Sequence, residues 1–510
     1  MSAPPPAPVS RRYALWALGL LATINLISYI NRNIIFAVFE SIKVDLHLTD
    51  TQLGWLGSAY VLVFSIAALP FGVLSDLRSR RAVIAGGVAL WSAFTFLGGL
   101  SQSFWPLFIC RAAVGLGGAA YGAASASLVA DYFPSRGRAL AMGVLAAGIA
   151  VGGVLGIWLG GILESAYGWR VAFMVVAGPG LACAVLVARL RDPTRVLAKL
   201  SIRAHLRDLE MGASWLWRQC LPLLTGLAVG LVAAFFLDRR YGADSQLDTG
   251  ALGAAVGIGL AFNIHRWVRL NRAAPDPGLP PDPMQGAWDD VIHAVRTVLR
   301  IPTLVYVFIG GALISFGLNG IVGWAPTFLS RELGLTVAAV STLLGKWGLI
   351  FGTAGTLFGG LLADWLLRYT RAGRLLTVSV GFLVGGPLTI WLLTIRDLSV
   401  FVPVFCASFF CLTWYSGPIA AVIFDVVPPR IGASVAGAYL MFIHLAGDTI
   451  AFPLVGILSD RFGIDRAVML LPIAALVGGL VVLAGARTLV GDIERMKLAT
   501  GEWKAVRSAK

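Results

Sequence analysis

The sequence predicts an all-α polytopic membrane protein with two six-helix bundles and an extra two-helix hairpin between them, a 12+2 arrangement of spans. Hydrophobic residues make up 58% of the 510 residues and charged residues only 13%, which lies outside the range of soluble globular proteins. The apolar residues form runs of about 20, the length that a helix needs to cross a bilayer. One short motif recurs at the ends of these runs and indicates an internal repeat.

Six runs predict an N-terminal bundle over residues 13–192. They lie at about 13–38, 53–75, 82–102, 104–130, 138–163 and 170–190. Residues 1–12 are rich in proline and are predicted to be a disordered tail. The start of the chain resembles a signal peptide, but its apolar run is too long and no small-residue cleavage site follows. We therefore interpret it as the first span.

Residues 193–300 are interpreted as a cytoplasmic linker that carries an inserted transmembrane hairpin. Its two apolar runs, at 221–237 and 251–268, are weaker than the others and flank a polar loop. No charge is embedded in the middle of either run, so we expect the hairpin to carry no chemistry. We expect a monomer, with a dimer through this hairpin as the alternative. The segment at 286–300 predicts an amphipathic helix on the membrane surface.

Six further runs predict a C-terminal bundle over residues 301–490, followed by a cytoplasmic tail at 491–510. They lie at about 304–329, 337–366, 375–395, 399–427, 432–458 and 466–490. The motif GxLxD ends spans two, eight and eleven, at 72–76, 360–364 and 456–460, and a looser version at 160–164 ends span five. Every three-helix unit therefore ends alike, as expected for two halves that each contain a repeat.

Basic residues cluster in the loops that an inside N-terminus would place in the cytoplasm, at 11–12, 78–81, 135–138 and 368–374 among others. The opposite loops are poor in Lys and Arg. The positive-inside rule therefore places both termini in the cytoplasm, and we expect the plasma (inner) membrane. The net charge of +14 comes from short loops and not from one basic face, so the bilayer is a predicted partner and nucleic acid is not.

Several motifs resemble the major facilitator superfamily. Gly72-x-x-x-Asp76-x-x-x-Arg80-Arg81 is similar to the family's signature between spans two and three, with Ser79 where a glycine is usual. Further segments resemble its spinster-like branch and the neighbouring organic anion:cation symporters: SYINR (28–32), CRAAVGLGGAAYGAASASLVADYF (110–133), GWRVAF (168–173), GWAPTFL (323–329) and VVPPRIGASVAG (426–437). The resemblance implies the major facilitator fold, secondary transport and a central cavity bordered by spans one, four, eight and eleven.

Two positions depart from the pattern of those relatives. The relatives usually carry an acid where this chain has Asn31, and often another where it has Gly118. The resemblance implies that these acids carry protons. Asp448 in span eleven is the acid that we expect to take over this role. His444 lies four residues before it, so both side chains project from one helix face and can meet. We interpret Asp448 and His444 as a proton-coupling pair. The alternative for His444 is a hydrogen-bonded core histidine.

Three cations lie inside predicted spans: Arg32 in span one, Arg111 in span four and Lys346 in span eight. A charge at mid-bilayer costs at least ~2.5–3.5 kcal/mol on insertion scales, so each needs a reason to be there. We expect them to share one polar cavity and to bind a carboxylate or phosphate. Three alternatives remain. Arg32 could snorkel to the outer surface, Arg111 could bind backbone carbonyls or a neighbouring helix, and Lys346 could pair with Asp448 only to cancel two charges.

Two further groups of residues have predicted roles. Side chains expected to line the substrate cavity are Tyr29, Asn31, Tyr121, Asn319 and Trp347, with packing or hydrogen bonding between helices as the alternative. Residues expected to gate the cytoplasmic end by tying the halves together when the outer side is open are Gly72, Asp76, Arg80 and Arg81. The alternative for this second group is that its charges only anchor the orientation of the chain.

Together these observations predict a secondary active transporter that moves a small organic anion by alternating access with proton coupling. The first alternative is a spinster-like exporter of a lysophospholipid or sphingoid lipid, which a cavity with an apolar half would indicate. The second is a transporter-like sensor that binds without translocation. We expect no enzyme, no metal and no cofactor, because the sequence places no nucleophile–base pair or metal-ligand cluster near the cavity.

Overall fold

The computed structural model describes residues 10–77, 79–133, 135–190, 247–272, 283–428 and 431–500, together with some helical residues between 221 and 237. Almost all of these residues are helical. Within them, twelve segments are long and apolar enough to cross a membrane, which confirms the prediction of an all-α, twelve-span fold. Most of the two predicted tails, residues 1–9 and 501–510, lies outside the described residues.

Seven helices form the first half. They are α1 (Arg11–Ala37), α2 (Phe39–Leu46), α3 (Asp50–Leu77), α4 (Arg80–Gly98), α5 (Phe104–Tyr132), α6 (Ser135–Tyr167) and α7 (Trp169–Ala188). All except the short α2 are spans. The Ser10 side chain caps α1 by accepting a hydrogen bond from the Tyr13 N–H. The helix therefore includes residues 11–12 of the predicted tail.

Two helices are described between the halves, α8 (Leu247–Arg272) and α9 (Pro283–Arg300). The predicted hairpin stays a prediction, because α8 is not among the twelve spans and the first arm is described only in part. A Cβ atom added at Gly226 would lie 2.5 Å from the Ala255 carbonyl oxygen, so the arms pack closely there. The amphipathic α9 buries Ala294 and Val298 in the core of the second half and also contacts α3.

The second half continues with α10 (Pro302–Glu332), α11 (Val337–Leu366), α12 (Gly373–Leu392), α13 (Leu398–Leu412), α14 (Ser416–Val426), α15 (Gly432–Ile443), a π-helical turn (His444–Asp448), α16 (Thr449–Phe462), α17 (Ile464–Ala467) and α18 (Leu470–Thr500). The last helix runs past the predicted end of the bundle at 490. Its buried Asp492 accepts a hydrogen bond from the Thr303 N–H at the start of α10 (2.9 Å). This part of the predicted tail therefore belongs to the bundle.

Within the first half, α1 and α6 pack backbone to backbone. Small residues recur every four positions on α6, and a Cβ added at Gly152 or Gly156 would lie 2.5 or 2.8 Å from a carbonyl oxygen of α1. The Asn33 side chain donates a hydrogen bond to the Gly153 carbonyl (3.0 Å). The Asn25 side chain, about two turns earlier on α1, donates to the Leu145 carbonyl of α6. Close helix approach through small residues and amide hydrogen bonds is typical of membrane interfaces, and it makes α1 and α6 one unit.

The two halves pack against each other at one end of the bundle. The twelve spans place the start of α1 and the end of α18 on one side, which we call the termini end. At the other side, the opposite end, α3 packs against α16 and α6 against α11. Glycines allow this approach, since a Cβ at Gly54 would lie 2.4 Å from the Phe452 carbonyl oxygen and one at Gly456 would lie 2.3 Å from that of Asp50.

We expect Gly152→Val to destabilise the fold by about 1–3 kcal/mol, the usual cost of overpacking, because the new side chain meets the α1 backbone. The matched control is Gly143→Val on the same helix, where an added Cβ meets nothing within 4 Å. Thermal unfolding of the purified protein in detergent should show a lower apparent melting temperature for Gly152→Val alone. Equal melting temperatures for the two variants would contradict the tight α1–α6 contact.

Candidate functional site

A cavity of about 950 Å³ lies between the two halves. It extends from Phe36 and Phe452, toward the opposite end, to Met142 and Ile423, near the termini end. Much of its wall is aliphatic or aromatic, including Phe64, Leu145, Ile149, Val154, Ile157, Leu344, Phe405, Phe409, Ile419, Leu440 and Met441. Among the described lining residues, the two that can carry a positive charge are Arg32 and His444. The cavity is therefore an apolar chamber with its charge in one place.

The carboxylate of Asp448 lies just behind this charged part of the wall, with a side chain that is 0% exposed. Its Oδ2 lies 2.7 Å from His444 Nδ1 and 3.4 Å from Arg32 Nη2. Its Oδ1 accepts hydrogen bonds from Asn319 Nδ2 (3.0 Å) and from the Ser315 hydroxyl. One buried carboxylate thus joins α1 of the first half to α10 and the π-helical turn of the second.

The π-helical turn sets this geometry. Both the N–H and the hydroxyl of Thr449 donate to the His444 carbonyl, which winds the chain more widely than an α-helix. A Cβ added at Gly447 would lie 2.7 Å from the Ala312 carbonyl oxygen, so glycine lets the turn lie directly on α10 beside Ser315. Single π turns inside α-helices are rare and occur often at functional sites.

Arg32 lies at the cavity wall and not at the outer surface. Its side chain is 11% exposed and faces Asp448. The guanidinium carbon lies 5.6 Å from the ring centroid of Tyr29 and 5.5 Å from that of Tyr60, within the range of cation–π attraction. Aromatic faces and one carboxylate therefore hold this cation where a ligand in the cavity can reach it.

Arg111 lies inside the first half and is not part of the described cavity wall. Its two terminal nitrogens donate to the carbonyl oxygens of Asn31 (3.0 Å) and Arg32 (2.8 Å). This is the arrangement of the structural alternative, in which Arg111 binds backbone carbonyls. Because these carbonyls flank the Cα of Arg32, Arg111 is a positioning residue for the cavity cation.

Lys346 and Trp347 also lie outside the described cavity wall. On α11, Leu344 and Gly348 line the cavity, whereas Lys346 is exposed on the same face as Ile350. The Lys346 ammonium lies 4.8 Å from the Trp347 ring centroid. The structure therefore does not bring three cations together, because equal depth in the membrane does not make side chains face the same way.

The remaining predicted lining residues divide in the same way. Those that border the cavity are Tyr29, Tyr121 and Asn319. The Tyr121 hydroxyl is already committed, since it donates to the Leu21 carbonyl (2.6 Å). Asn31 is buried away from the described wall and donates to the Ile27 carbonyl in its own helix (2.9 Å). Of the predicted lining set, Tyr29 and Asn319 are thus the members placed beside the Arg32–Asp448 pair.

A family model described as Major Facilitator Superfamily matches residues 21–447 of this sequence. The chain belongs to this superfamily. One curated relative is an MFS-type efflux pump of Mycolicibacterium smegmatis, 26% identical over 94% of this chain and 92% of the relative. Another is the sphingosine-1-phosphate transporter SPNS2 of Xenopus tropicalis, 23% identical over 95% and 84%. The motif-based resemblance to the superfamily and its spinster-like members is thereby confirmed.

Two solved structures show the same fold at low identity. The crystal structure of a bacterial homologue of the human lysosomal transporter Spinster, in an inward-facing and unoccupied conformation, has a TM-score of 0.71 at 19% identity and covers 95% of this chain and 99% of that one. A POT family transporter in complex with a thioalcohol-conjugated peptide has a TM-score of 0.63 at 14% identity, with 92% and 96% covered. The family match and the twelve apolar spans show a multi-pass membrane transporter, and these structures agree with the major facilitator fold.

The structure also shows what occupies the space beside Gly118, the second position at which the sequence departs from the expected pattern of acids. A Cβ added there would lie 2.6 Å from the Tyr60 hydroxyl oxygen, so Tyr60 leaves no room for a longer side chain. Tyr60 and Ser315 line the cavity but were not predicted from the sequence. Ser315 lies one helical turn before Asn319, a spacing that could have indicated it. The role of Tyr60 depends on packing between α3 and α5, which no local pattern reveals.

The predicted gating group lies at the termini end, and the bonds described for its two arginines are made to the first half. Arg80 pairs with Asp131 on α5, and Arg81 Nη1 donates to a backbone carbonyl just after α7 (3.0 Å). A Cβ added at Gly72 would meet nothing within 4 Å. The Asp76 side chain lies outside the described residues.

We expect Arg111→Lys to lower the free energy of unfolding by about 1–2 kcal/mol, because a lysine ammonium cannot keep both carbonyl hydrogen bonds of the guanidinium fork. Arg32→Lys is the matched comparison and should cost less, since an ammonium can still pair with Asp448. The measurement is the apparent melting temperature of each purified variant without substrate. If Arg32→Lys is destabilised as much as Arg111→Lys, then Arg111 has no special positioning role.

Proposed function

We propose that this transporter carries an amphiphilic anion, with a phosphate or carboxylate head group and a long apolar part, across the plasma membrane by alternating access coupled to protons. The observation that supports this best is the cavity, which is large and mostly apolar but holds one reachable arginine. Its volume lies at the upper end of the range for drug-sized ligands, about 300–1,000 Å³. A small carboxylate would bury little of this apolar wall, whereas an amphiphile would cover it.

The head group would bind at Arg32, beside Tyr29, Tyr60 and Asn319. Arg32 already faces Asp448, so an anion must compete with a buried carboxylate for the same guanidinium. A proton on Asp448 removes that competition. His444 lies both on the cavity wall and 2.7 Å from Asp448, so it is placed to pass the proton. Anion and proton would then enter together, which is symport.

The comparisons agree with this substrate class. A relative named as a sphingosine-1-phosphate transporter is named for an amphiphilic phosphate, and an efflux pump relative fits a broad apolar chamber. The small organic anion and the non-transporting sensor are the competing functions. The first predicts that the head group alone binds as well as the amphiphile, and the second predicts binding without uptake.

Alternating access is supported by the contrast between the two ends. The halves are packed together at the opposite end, and the cavity extends to the termini end, which the positive-inside rule places in the cytoplasm. In the other conformation, the group Gly72, Asp76, Arg80 and Arg81 would bind the second half. Gly72 now faces open space, whereas Gly456, at the equivalent position of the GxLxD motif, is packed against α3.

We expect oleoyl lysophosphatidic acid to raise the apparent melting temperature of the purified protein, and glycerol 3-phosphate, its head group alone, to have little effect. Arg32→Gln should weaken the binding of the lysolipid at least tenfold, because no other described arginine or lysine lines the cavity. Lys346→Gln, which removes a cation at similar depth but outside the described wall, should bind it like the wild type.

Equal stabilisation by glycerol 3-phosphate would favour the small-anion function instead. Loss of lysolipid binding in Lys346→Gln would instead support the three-cation site predicted from the sequence. Uptake of the labelled lysolipid into proteoliposomes separates a transporter from a sensor, since a sensor would bind the lysolipid and leave the vesicle lumen empty.

We expect Asp448→Asn to remove the dependence of uptake on a pH gradient but to spare exchange of labelled for unlabelled substrate. The amide cannot bind and release a proton, yet it no longer competes for Arg32. Asp425→Asn is the control, because Asp425 pairs with Arg374 and is not among the described lining residues. Proteoliposome uptake with and without an imposed gradient is the measurement. An unchanged dependence of uptake on pH in Asp448→Asn would mean that another residue couples transport to protons.

A further inference from the structure

Charged side chains join the two halves at the opposite end, outside every residue that the sequence indicated as a gate. Arg331, at the end of α10 in the second half, reaches across to α2 and α3 of the first. Its Nη1 and Nη2 donate to the two carboxylate oxygens of Asp50 (2.7 and 2.8 Å). Its Nε donates to Glu40 (2.8 Å). The guanidinium fork therefore holds two acids of the other half at once.

Asp50 is the centre of this group, with a side chain that is 2% exposed. It also lies 2.6 Å from the Lys43 ammonium and accepts a hydrogen bond from the Ser459 hydroxyl of α16 (2.5 Å). A buried carboxylate is stable only when its oxygens are well paired. Two of the three partners of Asp50, Arg331 and Ser459, belong to the other half, so separating the halves would leave this carboxylate underpaired.

An acid of the second half also binds the first half. Asp460, at the end of α16, accepts hydrogen bonds from the Asp50 N–H (2.9 Å), the Thr51 N–H (2.8 Å) and the Thr51 hydroxyl (2.6 Å). It thus satisfies the free N–H groups at the start of α3, where the helix dipole also favours negative charge. Gly456, one turn earlier, lets the α16 backbone touch that of Asp50.

An aromatic layer lies between these charges and the cavity. Phe36 packs on Phe452 with ring centroids 4.9 Å apart, and Phe39 packs on Trp324 at 5.5 Å. Each pair has one ring from each half. The Trp324 indole N–H also donates to the Phe452 carbonyl (3.3 Å). The charged group therefore lies outside a buried aromatic seal. The charged group and the aromatic seal must both separate before the cavity can open to this side.

We propose that Glu40, Asp50, Arg331 and Asp460 are the gating residues of the opposite end, and that their bonds hold the protein in the conformation whose cavity extends to the termini end. Asp460 is the last residue of the GxLxD motif that ends span eleven. We call these four residues the latch, and it uses the same motif as the group around Asp76. The proposal rests on alternating access, but on neither the substrate nor the coupling ion. One latch is closed here while the glycine of the other faces open space, which is the asymmetry that alternation requires.

The test measures conformation and needs no substrate. In a background without the five native cysteines, spin labels at Val44→Cys and Phe462→Cys report the distance between the halves at the opposite end. Labels at Leu140→Cys and Tyr369→Cys report it at the termini end. All four positions are exposed. We expect Arg331→Gln to raise the ratio of long to short Val44–Phe462 distances at least tenfold and to shorten the Leu140–Tyr369 distances.

The matched control is Arg396→Gln. Arg396 pairs with Glu332 at the same end (2.9 Å), but both residues belong to the second half, so its loss should not change either distance distribution. Asp460→Asn is the second test variant, to be used also if Arg331→Gln does not fold, and should shift both distances in the same direction. Unchanged distances in both test variants, or an equal shift in Arg396→Gln, would overturn the proposal. Failure of lysolipid binding would leave these distances unaffected, so the two proposals fail separately.

Discussion

The buried carboxylate of Asp448 is the interaction on which the rest of the site depends. Arg32 can remain inside the bundle because Asp448 faces it, and Asp448 can remain ionised because four side chains from two halves surround its oxygens. Burial of either charge alone would cost several kcal/mol. Each buried charge is therefore stable only because the other faces it. Neutralising Asp448 would leave Arg32 able to bind a new partner.

The same carboxylate lies on the helix that reaches the opposite end. Span eleven runs from α15 through the π-helical turn into α16, so Asp448 is followed on one continuous helix by Phe452 of the aromatic seal and by Asp460 of the latch. A π turn is a point at which a helix can rewind and change the facing of everything beyond it. Charge changes at Asp448 can thus reach the latch through a single element, without a relay of loosely packed side chains.

The sequence predicted the fold well because apolar length and a repeated motif are direct consequences of crossing a bilayer. It also placed His444 and Asp448 together, since spacing on one helix determines that contact. The facing of Lys346 could not be predicted, because apolar residues occur on both sides of α11. Ile350 lies on its exposed side and Leu344 on its cavity side, and lipid is as apolar as a protein core. Arg331 and Asp50 carried no signal either, because charges at the ends of spans are ordinary in membrane proteins.

The placement of the cations changes the argument for proton coupling. Three cations against one acid would leave a surplus positive charge, which attracts an anion with or without a proton. The structure has Lys346 outside the described cavity wall and commits Arg111 to backbone carbonyls, which leaves one arginine facing one carboxylate. Arg111 keeps its positive charge nearby, 5.8 Å from the Tyr60 ring, but an anion gains Arg32 as a strong partner only after Asp448 gives up its charge. The proposed coupling to a proton rests on this competition for Arg32 and needs no additional acid at positions 31 or 118.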